Sequence, residues 1–195
     1  MTTRPVGTAS TTNLADVFYP ESDGMPLPDG EFQSPLFREI VGTLETHFND
    51  RPNVHVNGNT FIYYEKGNPQ RLVSPDCYVA FDISMESIER NNTYLIWEVG
   101  KPPDFVLEIG SPSTGRTDLV DKRELYAELE IGEYWLFDAT GGDFYGEPLV
   151  GERLVESWSV NLTEWCGGTA LCWGWTCAGT MVICVTTTLK QKGGC

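Results

Sequence analysis

Three ionisable residues, Asp76, Glu108 and Lys122, stand where their neighbours make them costly or oddly placed. Glu108 interrupts Phe105-Val106-Leu107-Glu108-Ile109, an apolar run of the kind that forms a central strand covered on both faces. A carboxylate there is expensive unless a positive group sits opposite it. Lys122 is the complementary oddity, because on a helical wheel it falls inside the arc made by Leu119, Leu125, Tyr126 and Leu129. Asp76 follows Pro75 at the mouth of another strand pattern. Such residue types support two chemistries. Carboxylate oxygens suit a hard cation such as Mg²⁺, with a lysine to meet growing negative charge. Equally, Glu108 and Lys122 could be a buried ion pair, and Asp76 taken alone reads as an acid that bonds the backbone of a turn.

The elements that must position them are legible in outline. Residues 102–138 read as strand, loop, helix, strand, with Phe105 to Ile109 first and Tyr134 to Asp138 last. Thr117 is placed to cap the helix, Asp118 favours its first turn, and Gly132 is placed to end it. Glu108 shares a strand face with Asp104 and Val106. Asp104 reads as structural rather than catalytic. The hydroxyls of Ser111 to Thr114 could contact phosphate or cap the helix.

Upstream, Ser34-Pro35 reads as N-cap and first helical position. Leu36, Phe37, Ile40, Val41, Leu44 and Phe48 then recur at helical spacing. Val54 to Val56 and Thr60 to Tyr64 flank Asn57-Gly58-Asn59, a hairpin signal. Cys77 to Phe81 reads as a strand and 82–101 as a long polar connection anchored by Trp97. Leu149 to Trp158 reads as a further hairpin arm. His47 and His55 read as structural or solvated.

The length suits one domain, divided here into a flexible leader (1–30), a core domain (31–165) and an atypical tail (166–195). A formal charge of −15 argues against non-specific binding to nucleic acid, which feeds on basic surface. An enzyme reaching phosphate through metal ions and a local basic rim stays open. MTTRPVGTAS lacks the apolar run of a signal peptide, so the expected compartment is the cytoplasm. Five of six cysteines crowd the tail; without a secretory signal a disulfide framework is disfavoured, and without a C-x-x-C pair zinc is as well. The tail has no Asp or Glu. Its charge-free run from Leu171 to Leu189 is long enough for a membrane span, but its threonines and glycines make one unconvincing. A tail translated out of frame explains this composition more simply.

Taken together, Ser74-Pro75-Asp76, Pro102 to Ile109, Ser111 to Thr114, Asp118-Leu119, Lys122 and Gly132 to Asp138 resemble the Uma-type family. These are restriction-endonuclease-like proteins of the PD-(D/E)XK nuclease superfamily, and the likeness runs from about Tyr19 to Trp165. It implies an α/β (α+β) fold, a mixed central sheet flanked by helices, with a divalent-metal site at one end. By the resemblance, Asp76 and Glu108 are the paired metal-binding acids, for Mg²⁺ or Mn²⁺. Glu108-Ile109-Gly110 departs from the superfamily pattern, with glycine where a lysine is expected, and Lys122 matches the family's displaced lysine. Catalysis would then fall to Asp76, Glu108 and Lys122, on nucleic acid, DNA by preference, with a homodimer as one arrangement. A first-helix glutamate often completes such sites; Glu31 and Glu39 are the candidates and neither is assigned, Glu39 falling off the apolar face of the wheel. The competing expectation is a binding or structural protein on the same scaffold with its metal chemistry lost.

Overall fold

A computed structural model describes residues 17–22, 33–155, 158–161, 172–175 and 181–184. The chain runs α1 (Gln33–His47), β1 (Val54–Asn57), β2 (Ile62–Tyr63), β3 (Leu72–Val73), β4 (Cys77–Phe81), α2 (Glu86–Asn91), β5 (Tyr94–Leu95) and α3 (Ile96–Val99). It continues through β6 (Phe105–Ile109), α4 (Gly115–Thr117), a π-helical turn (Asp118–Lys122), α5 (Arg123–Glu128), β7 (Glu133–Phe137), β8 (Leu149–Val155) and β9 (Trp158–Asn161). β10 (Cys172–Trp175) and β11 (Met181–Cys184) pair antiparallel as a separate two-stranded sheet.

Six strands form the central sheet in the order β1-β4-β6-β7-β8-β9. Only β6 and β7 are parallel; the other neighbours run antiparallel, so the sheet is mixed as expected. All five residues of β6 are buried, which its apolar run required. Alternation along the strands separates two cores. Phe105, Leu107 and Ile109 join Val79, Trp135 and Phe137 under Ile40, Val41 and Leu44 of α1 and Phe48 just after it. Val106, Tyr78, Ala80, Tyr134 and Leu136 face the other way, toward Tyr126 of α5 and a small sheet ordered β3-β2-β5. Glu108 lies on the Val106 face and therefore points at the π-turn and α5.

Several expectations are corrected. The Asn57-Gly58-Asn59 turn does not close a hairpin: β1 pairs with β4, whereas β2 pairs with β3 and β5. It is a crossing between two sheets, held by Asn59 N–H donating to the Pro75 carbonyl at 2.9 Å. The stretch 82–101 holds two short helices and β5, because Ile88, Tyr94 and Leu95 find a core to enter. Trp97 is a half-buried anchor, its ring 5.1 Å from that of Tyr19. α1 already includes Gln33, so Ser34 and Pro35 lie inside its first turn, where a missing N–H costs nothing.

The central helix begins at Gly115, ahead of Thr117, and α5 stops at Glu128. Glu130 takes the left-handed conformation at φ 59°, with its N–H on the Ala127 carbonyl and that of Ile131 on the Tyr126 carbonyl. This is a Schellman ending made by Glu130, so the stop does not fall to Gly132, where it was expected. Within the leader, Tyr19 accepts the Gly67 N–H at 2.5 Å and Tyr63 donates to the Pro20 carbonyl at 2.6 Å. Leader residues 1–16 and 23–30 lie outside the described residues, as does the tail apart from β10 and β11. No helix among the described residues is long and apolar enough to cross a membrane.

Candidate active site

The antiparallel register sets Cys77 opposite Leu107, which brings Asp76, one residue earlier, beside Glu108. Asp76 Oδ2 accepts the Ile109 N–H at 2.7 Å, and the Asp76 N–H lies 3.4 Å from Glu108 Oε2. Gly58 makes this approach possible. A Cβ there would lie 1.8 Å from the Asp76 carbonyl oxygen and 2.6 Å from the Phe37 ring.

Glu108 is 1 % exposed. Its Oε2 meets Lys122 Nζ at 2.8 Å, and its Oε1 accepts the Tyr126 hydroxyl at 2.6 Å. Burial pushes the Glu108 carboxyl up, to about 8; Lys122 works against that, and the nearby Asp76 and Asp118 add to it. Burial alone would lower the Lys122 ammonium, but Glu108 and Asp118 outweigh it and hold the group firmly charged. Two carboxylates thus share one ammonium, with Asp76 beside Glu108, and burial is the chief reason the Glu108 carboxyl is held above its usual value.

The π-turn explains how Lys122 arrives. Widening one turn of the ladder adds a residue to it and rotates the faces on either side. Asp118 and Lys122 both turn inward, while Leu119 and Val120 are left 39 % and 47 % exposed. Leu119 is therefore not in the apolar arc that regular helical spacing assigned to it. Tyr126, Leu125 and Leu129 do pack inward. Asp118, 1 % exposed, places Oδ1 3.0 Å from Lys122 Nζ and Oδ2 under the Tyr145 hydroxyl at 2.7 Å.

The structure therefore brings Asp76, Glu108 and Lys122 to one rim of the sheet. It also adds Asp118, Tyr126 and Tyr145, which sequence reasoning had not placed there. Asp118 and Tyr126 each left a signal, the i,i+4 spacing to Lys122 on either side, whereas Tyr145 left none. Asp104 lies apart, paired with Lys101 at 2.7 Å and accepting the Phe81 N–H. Ser111 Oγ accepts the Thr114 N–H at 3.2 Å, so that hydroxyl serves the turn leading into the helix. Glu39 is exposed, and Glu31 lies outside the described residues. His47 is exposed beside Phe48, and His55 bonds Tyr78 at 3.0 Å. A cavity of about 440 Å³ bordered by Arg123, Tyr126, Tyr134 and Arg153 lies behind the phenol rings, and neither Asp76, Glu108 nor Asp118 lines it.

Among the described residues no three acidic, cysteine or histidine groups encircle a point as metal ligands. What the rim offers is two neighbouring carboxylates, Asp76 and Glu108. That fits Mg²⁺ or Mn²⁺, which bind through one or two carboxylates and keep several waters. The unbalanced negative charge of the cluster fits a divalent cation as well.

A family model for Uma2, "Putative restriction endonuclease", matches residues 23–161. No curated protein matches the chain. Among solved structures, the crystal structure of "a putative nuclease belonging to DUF820" from Anabaena variabilis ATCC 29413 is similar, with a TM-score of 0.50. The two are 17 % identical over 70 % of this chain and 69 % of that one, a likeness of fold alone.

Proposed function

The chain belongs to the Uma2 family, and on that premise we propose that it is a metal-dependent endonuclease hydrolysing phosphodiester bonds of nucleic acid, DNA by preference. The observation that carries this reading is the meeting of Asp76, Glu108 and Lys122 at one rim of the sheet. Asp76 and Glu108 would hold Mg²⁺ or Mn²⁺. Such an ion lowers the pKa of a bound water and offsets charge growing on the phosphate. Tyr126 fixes Glu108 from behind, so the carboxylate cannot rotate away from the rim. Lys122 has three donors and spends two on Glu108 and Asp118. The third is left for a phosphate oxygen or the attacking water, at a side chain still 20 % exposed.

A second reading, a binding or structural protein without catalysis, draws on a different observation. Glu108 and Lys122 already satisfy each other, and the chain carries a formal charge of −15. Incubation with plasmid DNA and structured RNA in Mg²⁺ or Mn²⁺ separates the two. The nuclease reading expects cleavage that falls at least about 10³-fold in Asp76→Asn, Glu108→Gln and Lys122→Ala. Cleavage untouched by all three substitutions removes the site; binding without cleavage favours the second reading.

A further inference from the structure

We propose that Asp118 is a positioning residue for Lys122, itself fixed by Tyr145, and that this pair replaces the lysine missing at position 110. The role in catalysis rests on the nuclease reading above; the positioning does not.

A lysine tethered to Glu108 alone could swing about that one contact. Asp118 supplies a second, with Oδ1 3.0 Å from Nζ. Asp118 is in turn held from outside its own helix. Tyr145 donates to Oδ2 at 2.7 Å, and Tyr134 donates to the Asp118 carbonyl at 2.9 Å. Oδ1 makes no hydrogen bond to any described group, and its one charged contact is the ion pair with the ammonium.

The Tyr145 ring is set by Asp138 just after β7, a buried carboxylate with both oxygens in use. Oδ1 accepts the Thr140 N–H at 2.9 Å, and Oδ2 accepts those of Phe144 at 2.7 Å and Tyr145 at 3.2 Å. This loop lies over Gly110. A Cβ at 110 would be 2.9 Å from the Tyr145 ring and 3.1 Å from that of Phe144. Residue 110 shares the strand face of Glu108. The space a side chain would need there is filled by the tyrosine that anchors Asp118. Glycine at 110, the inward π-turn and Tyr145 are thus parts of one arrangement that delivers an ammonium from the helix.

The test reads Lys122 itself. In metal-free protein, NMR relaxation of the lysine Cε groups should give Lys122 a high order parameter, about 0.8, against flexible values below about 0.6 for exposed lysines. Asp118→Asn should bring Lys122 into the flexible range, and Tyr145→Phe should lower it by a smaller step, with Lys66 and Lys101 unchanged. On DNA with Mg²⁺, Asp118→Asn should lower kcat about tenfold at constant KM, the scale of one charge-assisted contact. Loss of thermal stability in folded variants with Lys122 still rigid would overturn the proposal. Mobility gained at Lys122, in a parent protein that cleaves nothing, would support the positioning and remove the nuclease reading.

Discussion

The two ends of β6 each carry an acid paired with a lysine, and they differ in how much water reaches them. Before the strand, Lys101 meets both Asp104 oxygens at 2.7 Å with the side chains 36 % and 33 % exposed. Near its other end, Lys122 meets Glu108 at 2.8 Å with exposures of 20 % and 1 %. The first pair is screened and adds little to stability. At the second, removing charge from water costs several kcal/mol per ion, so the pair gains little net over apolar packing. A fold could place such a pair at the wet end at little cost. That three acids and one lysine sit at the dry end instead is what marks the site.

Lys122→Ala, the largest expected effect, strands Glu108 and Asp118 and should cost about 3 kcal/mol in denaturant unfolding along with cleavage. A Glu108→Gln, Lys122→Met double variant should recover only part of that stability, because Asp118 still lacks its ammonium, while remaining inactive. If the double variant were as unstable as the single one, the pair would be a structural necessity. Gly58→Ala should come next, at about 2 kcal/mol, because its Cβ must displace the Asp76 backbone, and cleavage should fall with it. Lys101→Ala should cost under about 1 kcal/mol and leave cleavage alone; a larger loss would erase the contrast between the two ends.

The smallest effect concerns acid. Burial holds His55 below its usual value, so the fold binds fewer protons there than the unfolded chain does. Its contribution is intact above about pH 6.5 and is lost as pH falls below that, through the folded value. His55→Phe should flatten stability over that window in thermal melts, and an unchanged slope would show that His55 is not responsible.

Much of this was legible in the residues. Burial of β6, the apolar face of α1 and the oddity of Glu108 and Lys122 follow from periodicity, which responds to burial. The π-turn was not legible, since a wheel at about 100° per residue assumes the regularity that the turn breaks. It therefore placed Leu119 inward and overlooked Asp118. Tyr145 had no signal, because Asp118 lies 27 residues away and only the closed fold brings the loop across it. The apparent hairpin at Asn57-Gly58-Asn59 misled for a related reason: its glycine answers to the Asp76 backbone rather than to a turn type.

The central claim is that Asp76 and Glu108 share a hard cation beside Lys122. Calorimetric titration of the full chain with Mn²⁺ tests it directly. One binding event, abolished by Asp76→Asn and by Glu108→Gln but kept in an Asp104→Asn control, is the predicted result. Binding that survives both substitutions, or is lost with Asp104, would contradict it.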